Sequence, residues 1–197
     1  MVQRILSLLL LPILLPVIIL ISLLIIISNG WPVFFMQKRV GKGGKIFILY
    51  KFRTMVKDAQ KMKIKWQREK PELWQEYEKN NFKLKNDFRI TKLGRILRLT
   101  SLDELPQIFN ILKGEMKFIG PRPILLREKR YYGKSFSSYV KVKPGVTGLW
   151  QISGRSDTKF KDRVKFDRYY ITNQSMKLDF YILFKTFYVI LFSKGSY

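Results

Sequence analysis

The chain has 197 residues, enough for one domain with its own core or for a small domain plus a membrane segment. It contains no cysteine and no histidine. Disulfides, thiolate chemistry, the commonest general base and the commonest zinc ligand are therefore excluded, and any catalysis runs on carboxylates, lysine, arginine, hydroxyls or a hard metal bound through oxygen. Lys plus Arg number 38 against 14 Asp plus Glu, a formal charge of +24. Such an excess calls for an anionic partner: nucleic acid, an anionic membrane surface or a phosphorylated substrate. The apolar N-terminus favours membrane lipid over nucleic acid.

Ile5 to Ile27 is apolar except for Ser7, Pro12, Pro16 and Ser22. At ~1.5 Å per residue a helix of this length covers about 34 Å, enough to span a bilayer. It is too long for a cleaved signal peptide, and Ser28-Asn29-Gly30-Trp31-Pro32 is not a small-residue cleavage site. Pro16 cannot donate to the carbonyl of Pro12, nor Pro12 to that of Leu8, so a bend is expected near Pro12–Pro16. Arg4 precedes the segment and Lys38 and Arg39 follow it. The positive-inside rule then wants both ends in the cytoplasm, which a re-entrant helix satisfies. A kinked single span is the other reading, and in either case the basic remainder stays cytoplasmic.

Val33–Gln37 and Ile46–Tyr50 flank Gly41-Lys42-Gly43-Gly44-Lys45 and predict a β-hairpin. The glycine turn lacks the spacing and the Ser/Thr of a phosphate loop. Lys57–Asn81 predicts surface helices broken near Pro71. Leu93, Ile96 and Leu97 mark an apolar set within Lys92–Leu99, with Arg95 and Arg98 between. Leu105, Ile108, Phe109 and Leu112 predict a helix with a buried face that ends at Gly114. Further helices are expected over Ile124–Tyr131 and Phe160–Ile171, and Pro144–Gly148 reads as a rigid turn. Leu178–Phe192, rich in Phe, Tyr, Leu and Ile, predicts a helix lying in the membrane interface or packed on the domain, with a second transmembrane helix as the weaker reading. Together these elements give an α+β, mainly helical fold. Residues 1–30 form a membrane-anchoring re-entrant helix, and residues 31–197 a compact cytoplasmic domain with a small hairpin and interfacial amphipathic helices.

Asp103 and Glu104 are adjacent acids in a chain poor in acids. Ser101-Leu102-Asp103-Glu104 has capping-box spacing, whereas Pro106 favours Asp103 itself as N-cap. Both readings put Asp103 at a helix N-terminus, where free N–H groups favour anions, and a cap alone would account for the pair. The surroundings suggest more. Arg95 and Arg98 precede the acids, and Pro121-Arg122-Pro123 and Gly154-Arg155 follow. An arginine between two prolines has a stiffened backbone that suits a phosphate clamp.

The stretches YKFRTM (Tyr50–Met55), RITKLGRILRLTSLDELPQ (Arg89–Gln107), FNILKGEM (Phe109–Met116), IGPRP (Ile119–Pro123) and VKPGVTGLWQISGR (Val142–Arg155) run in order over nearly the whole chain. With them the chain resembles the bacterial sugar transferase family, the monotopic phosphoglycosyl transferases. The resemblance implies an enzyme of the bacterial inner membrane, with its catalytic domain on the cytoplasmic face. Such an enzyme moves a hexose-1-phosphate from a UDP-sugar to polyprenyl phosphate and releases UMP. Asp103 would be the nucleophile at the β-phosphate and Glu104 a ligand of Mg²⁺. Lys51, Arg98, Arg122 and Arg155 would contact phosphates, with Arg53 beside them in the first motif. The family's re-entrant helix hinges at a Ser-Pro pair, where this chain has Leu15-Pro16. Longer relatives carry upstream transmembrane helices, and against them this chain looks like a minimal catalytic unit. Gly148-Leu149-Trp150-Gln151 and the ending Lys194-Gly195-Ser196-Tyr197 lean toward a galactose- or glucose-phosphate donor.

The chemistry suits these residues. A carboxylate is a competent nucleophile at phosphorus and is already ionised at neutral pH, so no histidine is needed. Mg²⁺ and arginines would offset its repulsion from the diphosphate. The rivals are direct transfer with Asp103 as metal ligand only, a membrane-tethered nucleic-acid binder, and a non-catalytic scaffold. The expected partners are a UDP-sugar, polyprenyl phosphate and anionic membrane lipids, with no nucleic acid. The C-terminal Phe and Tyr residues would suit the interface of a homodimer.

Overall fold

The computed structural model describes residues 2–79, 84, 87–154 and 160–192. Helix α1 (Val2–Asn29) runs through Pro12 and Pro16 without interruption. Ser7, Leu11, Leu14, Ile18, Ile21 and Ile25, at steps of four and three, turn inward, and the stripe from Leu11 on packs into the main core with Phe47, Leu49, Leu97, Ile108 and Met116. Leu8, Leu9, Ile13, Leu20, Leu23 and Ile27 are left exposed on the other side. Both ends are also tied to the domain. Arg4 Nε donates to the Leu112 carbonyl (2.7 Å) and the Phe118 N–H to Gln3 Oε1 (3.1 Å). At the far end Arg53 Nη2 donates to the carbonyls of Asn29 (2.7 Å) and Gly30 (2.5 Å). Among the described residues α1 is the one helix long and apolar enough to cross a membrane.

Strands β1 (Phe34–Val40) and β2 (Ile46–Phe52) pair antiparallel, from Phe34 opposite Phe52 to Val40 opposite Ile46, around a 3₁₀ turn at Lys42–Gly44. Helices α2 (Ala59–Glu69) and α3 (Pro71–Lys79) break at Pro71 as the sequence predicts, because proline is tolerated in a first helical turn but not inside one. They enclose a small cluster of Trp66, Tyr77 and Leu84, over which the Arg89 guanidinium lies while pairing with Asp87. Helix α4 (Lys92–Leu99) starts at Thr91, whose hydroxyl accepts from the Gly94 N–H (2.9 Å). A 3₁₀ segment (Leu102–Gln107) leads into α5 (Ile108–Lys113), which ends at Gly114 with φ +80°.

After α5 the chain holds a feature absent from the sequence reading. β3 (Lys117–Ile119) pairs in parallel with β4 (Gly145–Thr147), so Pro144–Gly148 is not a free turn but carries a strand. The glycines make it possible: a Cβ on Gly145 would sit 2.1 Å from the Gly120 nitrogen, and one on Gly148 2.1 Å from the Gly120 carbonyl oxygen. Between these strands, the helix expected over Ile124–Tyr131 shrinks to a 3₁₀ turn at Leu126–Glu128 and the single turn α6 (Lys129–Tyr132), because Ile124 is taken by a bridge to Val40. Helices α7 (Phe136–Tyr139), α8 (Leu149–Ile152), α9 (Phe160–Thr172) and α10 (Met176–Phe192) complete the fold, which is mainly helical α+β. Helix α10 buries Ile182 and partly Leu178, and leaves Phe180, Phe184, Phe187, Tyr188 and Leu191 exposed.

Helix α4 lies against the strand-end segment so closely that a Cβ on Gly94 would fall 2.0 Å from the Thr54 carbonyl oxygen. Gly94→Ala must push the two apart. Overpacking of this kind costs ~1–3 kcal/mol. Thermal unfolding in detergent should show a drop in Tm of about 3–10 °C for a chain of this size. Lys92→Ala, exposed on the same helix, should leave Tm unchanged.

Candidate active site

Strand alternation places Phe47, Leu49 and Lys51 on the same face of β2, and the two apolar residues are buried in the core. Lys51 thus points along the row that meets the 3₁₀ segment. In that segment Leu102 and Leu105 fall one turn apart and pack on the core, which turns the intervening Asp103 and Glu104 the other way. Lys51 Nζ lies 2.5 Å from Glu104 Oε1 and 3.5 Å from Asp103 Oδ2, and all three side chains are largely buried. Arg98 approaches from α4, where its Nε donates to Thr54 Oγ1 (2.9 Å).

The acids do not sit at an α-helix N-terminus, contrary to both capping readings. Ser101 is left-handed (φ +58°) and its side chain makes no capping hydrogen bond. Glu104 turns to Lys51 instead of back to Ser101. The α-helix begins only at Ile108, after the 3₁₀ segment that holds Pro106. The left-handed turn, which costs roughly 1–2 kcal/mol at a non-glycine residue, brings the carboxylates back over β2.

Burial pushes the Asp103 carboxyl above its ordinary value, Lys51 draws it back down, the neighbouring Glu104 charge raises it, and Arg98 lowers it. Burial also lowers the Arg98 guanidinium, against the charges of Asp103 and Asp87 that favour it. The site therefore keeps two carboxylates close together by surrounding them with cations. Such a donor set fits a hard divalent ion: Lys51 already occupies a position between two carboxylates where positive charge is favoured. Two acids suit Mg²⁺, which keeps several waters and completes its shell with substrate phosphate. Among the described residues no set of three acids converges on one point.

The remaining expected site residues are placed differently. Arg53 caps the carbonyl end of α1, as described above, and is not turned toward the acids. The last carbonyls of a helix lack intrahelical partners, and those of Asn29 and Gly30 draw this buried guanidinium to them. Arg122 belongs to a second cationic cluster. Its guanidinium lies 5.5 Å from the Trp150 ring centroid, and Arg163 lies 5.2 Å from the same ring. Its backbone is held by more than its prolines: the carbonyls of Pro121, Arg122, Pro123 and Ile124 accept in turn from Gly145 N, Tyr139 Oη, Arg39 Nη1 and Val40 N. Arg39 and Arg163 share Glu128 there, and Asp167 accepts from Tyr132 Oη (2.6 Å). Burial and the Arg122 charge bring Arg39 down to about 9, and burial lifts Asp167 to about 6. Arg155 lies outside the described residues.

Two supporting residues escaped the sequence reading. Thr54 holds Arg98, and the only sequence signal was its place in the YKFRTM stretch. Asn110, fully buried on an apolar helix face, accepts from Tyr50 N (3.1 Å) and donates to the Ile48 carbonyl (2.6 Å), doing for the free edge of β2 what a third strand would do.

The profile of the family described as "Bacterial sugar transferase" matches residues 1–193. The chain belongs to the bacterial sugar transferase family. It is 48% identical over 169 residues to "Undecaprenyl-phosphate galactose phosphotransferase" of Salmonella typhimurium, covering 86% of this chain and 35% of that protein. It is 42% identical over 182 residues to "Exopolysaccharide production protein ExoY" of Rhizobium meliloti, covering 92% and 80%. It is 36% identical over 190 residues to "UDP-glucose:undecaprenyl-phosphate glucose-1-phosphate transferase" of Klebsiella pneumoniae, covering 92% and 37%. The chain thus spans about a third of the length of the Salmonella and Klebsiella relatives and four fifths of the Rhizobium one.

An NMR titration of ¹³C-labelled aspartate should place the Asp103 midpoint above the 3.8 of an ordinary aspartate. In Lys51→Met it should move further up, since the ammonium that favours the ionised form is gone. A midpoint that falls in Lys51→Met would contradict the geometry.

Proposed function

We propose that the chain transfers a hexose-1-phosphate from a UDP-sugar to polyprenyl phosphate, as the names of its Salmonella and Klebsiella relatives describe for those proteins. The supporting observation is the Asp103 carboxylate, half of an acid pair, largely buried and faced by Lys51 and Arg98. In the first step an Asp103 oxygen attacks the β-phosphorus, the bond from that phosphorus to the bridging oxygen breaks, and UMP leaves with the electron pair. In the second step a phosphate oxygen of the lipid attacks the same phosphorus, and the bond to Asp103 breaks. The carboxylate returns, and no net proton has to be stored, which a site without histidine could not easily do. Lys51 and Arg98 favour the ionised form of Asp103 against the effect of burial and offset its repulsion from the diphosphate. Arg122 would hold phosphate from the neighbouring cluster. Glu104, with Asp103, would hold Mg²⁺, which supplies charge neutralisation at the diphosphate.

The acceptor is a lipid, and the fold offers it a surface. Helix α1 presents a broad apolar face while both of its ends are bonded to the same domain. This favours both ends on one side of the bacterial inner membrane, with the basic domain at the cytoplasmic face among anionic lipids. The donor sugar is read as galactose or glucose.

UMP release from UDP-galactose and UDP-glucose with polyprenyl phosphate in detergent tests this reading. Asp103→Asn should lower turnover by at least about 10³-fold, as loss of a nucleophile does, with Tm and membrane binding retained. Full activity in that variant rules out the role of Asp103.

A further inference from the structure

Outside the site of Asp103, a recess of about 250 Å³ opens where separate stretches of chain meet. The first turn of α1 supplies Gln3 and Arg4, the hairpin tip Lys42, the start of β3 Lys117, and the link from α7 to β4 Lys141 and Lys143. None of the residues lining it is acidic. Among the described residues none of the five cations is in an ion pair, unlike Lys51, Arg89 and Arg163.

Five like charges on flexible chains would spread apart unless their backbones were held. Here they are held. The Gly43 N–H donates to the Val140 carbonyl (2.7 Å), the Lys117 N–H to the Pro144 carbonyl (2.8 Å), and Gln3 and Arg4 bond to Phe118 and Leu112. Arg4 Cδ and Lys143 Nζ each come 3.6 Å from the point where a Cβ on Gly114 would sit, so they converge over that glycine. A fixed frame that gathers cations around a space with no acid is a preorganised anion site. Its volume is the share of roughly eight liquid waters, room for a phosphate group with part of its hydration.

We infer that this recess binds a phosphate-bearing group, and that the group is the headgroup of an anionic membrane lipid. The source follows from the neighbourhood: the helix that supplies Arg4 exposes Ile5, Leu6, Leu8 and Leu9 directly beyond it, an apolar path for acyl chains. A headgroup seated there ties the first turn of α1, the hairpin tip and the β3–β4 pair together. This does not rest on the role of Asp103.

The test is thermal unfolding of the full chain in neutral detergent. Dihexanoyl phosphatidylglycerol, dihexanoyl phosphatidylcholine or inorganic phosphate is added at matched ionic strength. Phosphatidylglycerol at saturation should raise Tm by about 5 °C or more, and phosphatidylcholine should not. The shift should vanish in Lys117→Gln/Lys143→Gln and in Lys143→Glu, which remove repulsion and so retain the unliganded Tm. It should persist in Lys51→Gln, which separates this site from the acid pair. An equal shift with inorganic phosphate, lost in the same variants, keeps the site but assigns it to free phosphate. No shift in the wild type, the same shift in the recess variants, or a shift lost in Lys51→Gln overturns the inference.

Discussion

Two adjacent carboxylates in a largely buried position repel each other and lose hydration, and Lys51 offsets both costs. At an effective dielectric of 20, two unit charges 4 Å apart interact by about 4 kcal/mol, which is enough to decide whether an acid there is ionised. Lys51 meets Glu104 at 2.5 Å and Asp103 at 3.5 Å. This contact joins residues more than fifty apart in the chain, so β2 and the 3₁₀ segment must be held in a defined register. Asn110 sets the distance between β2 and α5 through Tyr50 N and Ile48 O. Gly94 lets α4 come down on Thr54, which in turn holds Arg98. The left-handed Ser101 turns the chain from α4 back toward Lys51. Each of these features is costly or unusual alone, and together they deliver the acid pair to its cations.

The N-terminal helix serves two solvents at once. One stripe completes the protein core with Ile18, Ile21 and Ile25, and the opposite face is a continuous apolar surface. The helix is therefore part of the domain and not a tether. Its two ends are bonded to the shell that holds the acids: Arg4 reaches α5, and Arg53, two residues after Lys51, reaches Asn29 and Gly30. Any movement of this helix would be felt at α5 and at the stretch that follows Lys51. With α10 exposing a second aromatic face, the molecule has two surfaces suited to apolar surroundings and a basic remainder suited to anionic ones.

Much of this was legible in the sequence, for physical reasons. Two short apolar runs and the glycines between them marked the hairpin, Pro71 marked the break between α2 and α3, and helical spacing marked the face of α5. The acid pair stood out because acids are rare in a chain of net charge +24. What could not be read depends on distant partners. The inward stripe of α1 was invisible because its core-facing and outward-facing residues are the same kinds, Leu and Ile. The β3–β4 pair escaped because three-residue strands carry no periodicity, and their contact depends on glycine backbones far apart in the chain. Arg53 and Lys51 look equivalent in sequence. The carbonyl end of α1 claims one and the acid pair the other.

The central claim is that Asp103 carries the sugar phosphate between donor and acceptor. It is tested most directly by isotope exchange of labelled UMP into UDP-sugar in the absence of any polyprenyl phosphate. A covalent intermediate formed with release of UMP must run backward, so label should enter UDP-sugar with no lipid present, and Asp103→Asn should abolish this. Exchange that requires the lipid, in an enzyme that turns over normally when lipid is supplied, would contradict the account and point to direct transfer.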